Sequence, residues 1–457
     1  MIQITNQFTS PQKHAFQIIV SLIVFHLLSG TLAVADPQTR DSESLGRMLH
    51  EQQLLIERQQ KQIDALAEQF SNNSAPSLEW EGYGVINYAQ YDFFRNAQDD
   101  TPDRRARMDV ERLVLELKHA FSDSAKLEAE IEFEHGGTGS AIEYEPEEFG
   151  EYELEVEKGG EIKLEKLQLE IEYSKGLGIR FGHIIVPFGM VNTHHRPGDY
   201  FTTQRSLAET SLIPAAWDEN GLEIFGRLGN FEYNALVVNG LDSSGFSGYA
   251  WIAGGHQGNL EFVNADNLAF IGRLNYHPNS GFMLGTAVYT GDSADNRPRQ
   301  NLNTSAVVTI YEIHARLETA RWKTRLQWLA GTVENSDAVT QANLQTSNAA
   351  LLDISRTGIG HKAESFFFET GYDIGPWLSL ATPLYSFIRY DDFNTMAETE
   401  GNVTQLARYD RQAVTTGFNY TITPGVILKA EYSKLEHQGD IGNESSLAAI
   451  GIGFEFE

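Results

Sequence analysis

From residue 80 to the end of the chain, apolar and polar side chains alternate with a period of two. The clearest instance is Leu127, Ala129, Ile131 and Phe133 interleaved with Glu128, Glu130, Glu132 and Glu134. Successive side chains of a strand point to opposite faces, so this segment has one apolar face and one carboxylate face. The same pattern predicts strands near 80–94, 106–121, 124–136, 161–174, 177–187, 221–229, 231–240, 269–277, 281–291, 305–319, 321–334, 360–372, 376–391, 407–421, 425–437 and 446–456. The connections alternate in length. Ser122-Asp123, Ser174-Lys175-Gly176, Gly229-Asn230, His277-Pro278-Asn279-Ser280, Gly375-Pro376 and Thr423-Pro424-Gly425 are tight, whereas 137–160, 188–220, 241–268 and 335–359 are long. Seven short turns and eight long loops joining sixteen strands are expected of an all-β, sixteen-stranded antiparallel transmembrane β-barrel, with the short turns in the periplasm and the long loops outside. A soluble sandwich or propeller needs neither that alternation nor strands this long. The final strand, Ile450 to Phe456, alternates almost to the last residue, although Glu457 follows the aromatic on which such strands usually end.

Ahead of the barrel the pattern changes twice. Ala15 to Leu28 is a continuous apolar stretch, preceded by Lys13 and followed by the small-x-small triplet Ala33-Val34-Ala35, so residues 1–35 are expected to be a cleaved signal peptide. The apolar core is shorter than the ~20 residues a helical span needs. Residues 36–71 are expected to be a short α-helical coiled coil in the periplasm: Leu45, Leu49, Ile56, Ile63, Leu66 and Phe70 step by threes and fours, with Gln52 and Gln59 at the two vacant seam positions. Core glutamines fix register and oligomer state at some cost in stability, which fits a parallel trimer; a single helix packed on the barrel is the alternative. Asn72-Asn73-Ser74-Ala75-Pro76-Ser77 breaks the helix, making 72–79 a linker and 80–457 the barrel.

Charge and motif content exclude several functions. With 34 Lys plus Arg against 63 Asp plus Glu, the formal charge of −29 disfavours nucleic acid as a partner, because phosphate binding needs a basic face. Without cysteine there is neither a disulfide framework nor a thiolate metal site. No Gly-x-Ser-x-Gly elbow, phosphate loop or His-Glu-x-x-His motif is present, so no enzyme and no cofactor are expected; Gly245-Phe246-Ser247-Gly248 has the wrong spacing. His183, His194 and His195 invite a metal reading, but adjacent strand residues diverge and no i, i+4 pair exists, so no metal site is expected. The acidic stretch containing Glu147, Glu148, Glu151, Glu153, Glu155, Glu157 and Glu161 is either a solvated external loop or a site bridging divalent cations to lipopolysaccharide.

The run Gly178-Ile179-Arg180-Phe181-Gly182-His183-Ile184-Ile185-Val186-Pro187-Phe188-Gly189 is followed by Arg205, Glu209, Pro214, Trp217-Asp218-Glu219-Asn220-Gly221 and Val237-Val238-Asn239-Gly240. Together these resemble the phosphate-selective porin O and P family. Residues 43–70 are similar to the leading segment of coiled-coil-tipped trimeric porins within that broader group. The resemblance implies a homotrimer of outer-membrane channels whose third external loop, here 188–220 with Arg196, Arg205, Glu209, Asp218 and Glu219, folds inward to constrict the pore. The arginine ladder and lysine cluster behind phosphate selectivity do not map onto this sequence residue by residue.

If apolar side chains face lipid, their partners face the lumen. That rule places Glu128, Glu130, Glu132, Glu134, Glu170 and Glu172 on one wall. It places Arg316, Lys323 and Arg325, with Glu312, His314 and Arg321, on strands about eight positions away, and assigns Arg112, Arg180, Arg227 and Arg273 to extend that basic wall. Facing walls of opposite sign would create a transverse field; the alternative is that the charges pair locally in a water-filled interior. The function expected is passive diffusion of small hydrophilic or charged solutes, with anions such as phosphate among them, across the outer membrane of a bacterial cell. A solute-specific channel of other selectivity and a plugged structural or adhesive barrel are the alternatives.

Overall fold

The period-two segments form one antiparallel ladder in which each strand pairs with its sequence neighbours and the last pairs with the first. The computed structural model describes residues 78–94, 101–137, 143–144, 154–155, 160–257, 263–346, 357–438 and 445–456, with 54, 58 and 61. The expected signal peptide, the seam residues of the expected coiled coil, and Glu147, Glu148, Glu151, Glu153 and Glu157 lie outside the described residues.

The sixteen barrel strands are β1 Leu78–Phe93, β2 Asp103–Ser122, β3 Ala125–Glu134, β4 Glu161–Ser174, β5 Leu177–Ile185, β6 Asp218–Leu228, β7 Phe231–Asn239 and β8 Leu268–Asn279, then β9 Phe282–Asp292, β10 Val307–Glu318, β11 Trp322–Val333, β12 Lys362–Asp373, β13 Leu384–Glu398, β14 Asp410–Thr423, β15 Val426–His437 and β16 Ser445–Phe456. Between β3 and β4, Glu143–Tyr144 and Leu154–Glu155 make a separate two-stranded ladder. Among the described residues the long loops hold three short α-helices: α1 Met190–Thr193, α2 Leu207–Thr210 and α3 Ser336–Thr346.

Closure runs from Gly82 opposite Phe456 to Asp92 opposite Ser446. Gly84 stands opposite Phe454, and a Cβ added there would be driven into that ring. The aromatic covers the backbone that the glycine leaves bare, which is how glycines are accommodated in paired strands.

The outer face is apolar. Met108, Phe181, Phe270 and Tyr311 are all more than half exposed, and Ile224, Ile313, Ile388 and Ile450 lie on the same surface. A continuous belt of this kind is unstable in water and suited to a bilayer. At the short-turn end Trp80, Phe121, Tyr173, Trp322 and Trp377 form an exposed aromatic girdle, the arrangement expected at a membrane interface.

One strand starts later than the sequence suggests. The segment expected at 376–391 is extended only from Leu384 to Glu398, because Gly375–Leu378 winds into a 3-10 turn. Pro376 has no N–H for a ladder, Ser379 takes a left-handed φ of 56°, and Asp373 Oδ1 accepts from the N–H groups of Gly375 (2.9 Å) and Leu384 (3.0 Å). The turn brings Trp377 within 5.3 Å of the Tyr372 ring, in the girdle.

Two bulges alter which side chains reach the lumen. In β2, Val110 pairs with Ile86 and Arg112 with Val85, leaving Glu111 as an extra residue. In β4, Leu164 pairs with Ile131 and Lys166 with Glu130, leaving Glu165 extra. Each bulge keeps apolar residues outside on both of its sides while presenting an acid–base doublet, Glu111-Arg112 or Glu165-Lys166, to the interior.

The interior has two zones. Along β10 the inward residues are Val308 and Ile310 toward the long loops, then Glu312, His314 and Arg316 toward the turns. Near the loops they join an apolar cluster with Phe188, Met190, Leu212, Trp217, Phe246, Trp251 and Val339, contributed by three loops folded into the barrel. Full burial stabilises each large apolar side chain by roughly 1.5–3 kcal/mol, enough to hold these loops inside.

Gly84→Val is expected to block closure by displacing the Phe454 ring, costing about 1–3 kcal/mol, the usual penalty of overpacking. The heat-modifiable shift in gel mobility should show a smaller folded fraction, restored in Gly84→Val/Phe454→Ala. An unchanged folded fraction in the single variant would mean that the seam tolerates a side chain at Gly84.

Candidate functional site

The loop between β5 and β6, residues 186–217, crosses the lumen and is bonded to walls on several sides. It starts from a local clamp. Asn192 Nδ2 donates to the carbonyls of Val186 (2.8 Å) and Phe188 (3.1 Å), and its Oδ1 accepts from the N–H of Trp217 at 2.6 Å. Asn192 thus ties the ascending and descending legs together. Glu209 accepts from the N–H groups of Met190 (2.9 Å), Val191 (2.9 Å) and Asn192 (2.7 Å), satisfying the open donors at the start of α1. Burial pushes the Glu209 carboxyl up to about 7, with the charge of Glu312 adding to the rise and the three N–H donors opposing it.

Beyond this clamp the loop is pinned to the wall. The Gly189 N–H donates to Glu312 on β10 (3.0 Å), and the Gly189 carbonyl accepts from Arg273 on β8 (3.2 Å). Arg196 reaches the opposite side, bonding Glu81 on β1 at 3.1 Å and Glu116 on β2. The Gly198 N–H donates to Glu455 on β16 (2.6 Å). Lys429 on β15 donates to the carbonyls of Tyr200 (2.8 Å) and Thr202 (2.9 Å), while Glu431 accepts from the N–H and hydroxyl of Thr203, both at 2.7 Å. On β13, Arg389 donates to the Thr202 hydroxyl at 2.6 Å, and Asp391 accepts from the Ser206 hydroxyl and the Ala208 N–H. The bonds made by Gly189, Thr203, Ser206, Ala208 and Lys429 are buried and involve charged groups, the class worth about 1.5–3 kcal/mol each, whereas that of Gly198 is exposed and those of Arg196 are partly buried.

His194 and His195 follow α1 in irregular backbone, not on a strand, and their side chains diverge. His194 lies among the charges of Arg316, Arg273 and Arg325, and burial, with those charges adding, holds its imidazole down to about 3. His195 turns the other way, its Nδ1 donating to the Asn192 carbonyl at 2.7 Å and its Nε2 lying 3.7 Å from Glu130.

The wall charges are paired within each wall. On the acidic side Lys126 bridges Glu128 (2.9 Å) and Glu170 (3.0 Å), Lys166 meets Glu130 (3.1 Å), and Arg112 meets Glu132 (3.1 Å). Arg180 bridges Glu170 (2.6 Å) and Glu223 (2.9 Å). Arg112 and Arg180 therefore neutralise the acidic wall and do not extend the basic one, because β2 and β5 flank the acidic strands. On the other side Arg325 pairs with Glu369 at 2.5 Å, Glu312 with His314 at 2.9 Å, and Arg316 approaches Glu318 at 3.9 Å. Arg273 donates to His314 and to the loop, and Lys323 lies 5.5 Å from the Tyr385 ring. Glu134 is partly buried at the end of β3. Arg227 and Glu172 are exposed close to the short turns, away from the loop. Asp218 and Glu219 belong to β6 and not to the loop, because they pair in register with Ile185 and Ile184. Arg205 is on the loop, and its buried Nε and Nη2 have no hydrogen-bond partner among the described residues.

Sequence reasoning missed the wall anchors Lys429, Glu431, Arg389 and Asp391, which follow from no local pattern. Glu165 was legible in principle: the outward set Ile162, Leu164, Leu167, Leu169 slips by one residue at Glu165-Lys166, which marks a bulge.

No family model matches the chain. An uncharacterized protein of Aquifex aeolicus (strain VF5) is 26% identical over 371 residues, covering 81% of this chain and 78% of the relative. Among solved structures, Salmonella typhi OmpF in complex with daunomycin covers 84% of this chain and 99% of its own at 10% identity, with a TM-score of 0.52. The fold is that of an outer-membrane porin. The outer membrane channel DcaP of Acinetobacter baumannii is similar to the same extent, at 10% identity and a TM-score of 0.50, covering 84% and 98% of the two chains.

Lys429→Met removes the donor shared by two buried loop carbonyls, at a cost of about 1–3 kcal/mol for each group left unsatisfied. Limited trypsinolysis of the folded protein should then cut at Arg205 in the variant and not in the wild type. Equal resistance of the two would mean that this tether adds nothing to the hold on the loop.

Proposed function

We propose that this protein is an outer-membrane porin that lets small hydrophilic or charged solutes diffuse passively down their gradients. The observation behind this reading is the 186–217 loop, tethered across a closed barrel to β1, β2, β8, β10, β13, β15 and β16, so that the passage narrows between charged walls. The apolar belt and aromatic girdle support a location in the bacterial outer membrane, in contact with lipid and lipopolysaccharide. Because most wall charges are paired, selectivity is set by pore width and by the few groups left uncompensated rather than by a field between walls of opposite sign.

Anions such as phosphate are the solutes favoured by Arg205, whose guanidinium lies with those of Arg112 and Arg325 within electrostatic reach of Tyr200. This also suits the resemblance of 178–240 to phosphate-selective porins. In the same reading residues 1–35 direct export and 36–71 form a periplasmic coiled coil that joins three copies, supported by the heptad spacing and its two glutamines.

In a planar bilayer the purified full-length protein should give conductance steps in groups of three. Phosphate should reduce the current, and Arg205→Ala should weaken that block several-fold. Absence of any conductance, with the barrel folded, would favour the plugged structural or adhesive barrel instead.

A further inference from the structure

The bulge in β4 places Glu165 beside Glu130 of β3 and His195 of the constriction loop. All three side chains are buried, at 1%, 2% and 8% exposure, and one ligand atom from each lies within 4.8 Å of the other two. His195 is oriented for ligation. Its Nδ1 gives its proton to the Asn192 carbonyl, so the Nε2 lone pair faces the two carboxylates, the arrangement in which a backbone carbonyl steers a metal-binding imidazole.

Glu165 supplies an independent indication. Both of its carboxylate oxygens are buried, and among the described residues no N–H or hydroxyl donor and no cation bonds them; the group they meet is another carboxyl, that of Glu132. Its neighbours are engaged elsewhere: Lys166 pairs with Glu130, Lys163 with Asp218 and Arg112 with Glu132. Arg205 lies within electrostatic reach of Glu132 and Glu134. Glu165 thus forms no ion pair among the described residues: Lys163 acts on it only at a distance while bonding Asp218, and the carboxyls of Glu130 and Glu132 crowd it with like charge. An ionised carboxylate in that position needs a counter-charge at bonding distance.

We propose that Glu130, Glu165 and His195 bind one divalent transition-metal ion of the zinc class, which staples the constriction loop to the β3–β4 wall. Two carboxylates and one imidazole suit zinc, cobalt(II) or manganese(II), whereas calcium takes six to eight oxygens and cuprous ion prefers thiolates. The fourth position is left to water or solute. His195 is the only one of the three ligands on the loop, so binding couples metal availability to the loop's position.

The test uses the folded, full-length protein in detergent, freed of metal with a chelator and titrated with cobalt(II) and then zinc. Expected are one tight site per chain, visible ligand-field bands with cobalt that zinc displaces, and slower tryptic cutting of the loop when zinc is bound. His195→Gln and Glu165→Gln should each weaken binding at least tenfold, whereas Glu147→Gln/Glu148→Gln in the acidic loop should leave it unchanged. The proposal is overturned if the wild type binds no ion, or if binding survives both ligand substitutions and is lost with the acidic loop. It is also overturned if infrared difference spectra assign a permanently protonated carboxyl to Glu165, since a proton would then supply the missing charge. Should a ligand variant fail to fold, the cobalt spectrum of the wild type still decides, because nitrogen–oxygen coordination differs from the spectrum of the hydrated ion.

Discussion

The structure depends on the hydrogen-bonded seam between its first and last strands. In a hydrocarbon environment an unpaired strand edge has no water to bond, so a sheet of this composition is stable only when closed. Closure here juxtaposes Gly82 and Gly84 with Phe456 and Phe454, and the outward alternation of β1 and β16 is in phase across that line. The apolar belt, the girdle and the enclosed lumen all presuppose it.

The loop that crosses the lumen has a similar dependence on distant sequence. Thr203 is bonded to Glu431, and Tyr200 and Thr202 to Lys429, more than two hundred residues later in the chain. Those partners belong to β15, among the last strands to be made. The loop can dock only once the barrel is nearly complete, so its final position reports closure. Long-range contacts of this kind slow folding, because chain entropy must be given up before the contact rewards it.

How much of this was legible in the sequence follows from what each region buries. Strands with lipid on one side and charged lumen on the other, such as β3, alternate cleanly and were placed within a few residues. Val307-Val308-Thr309-Ile310-Tyr311 was less informative, because there both faces are covered, one by lipid and one by the folded-in loops, and alternation disappears. The start of β13 was misplaced because Pro376 and the capping Asp373 form a turn whose residues resemble a strand in hydropathy alone. The paired wall charges were foreseen one residue at a time but not in their pairing, since which Lys meets which Glu is fixed by strand order and register and not by periodicity.

The two bulges have a consequence for how such a barrel can diversify. Glu111 and Glu165 each occupy a place that exists on one strand only. Excising either by a single in-frame codon loss would restore uninterrupted alternation and leave every lipid-facing residue where it is. The reverse event, gain of one codon, adds a charged group to the channel while strand number and outer surface stay constant. Lineages of this architecture thus have a route to new lumen chemistry through length variation inside a strand, the place where insertions are ordinarily least tolerated.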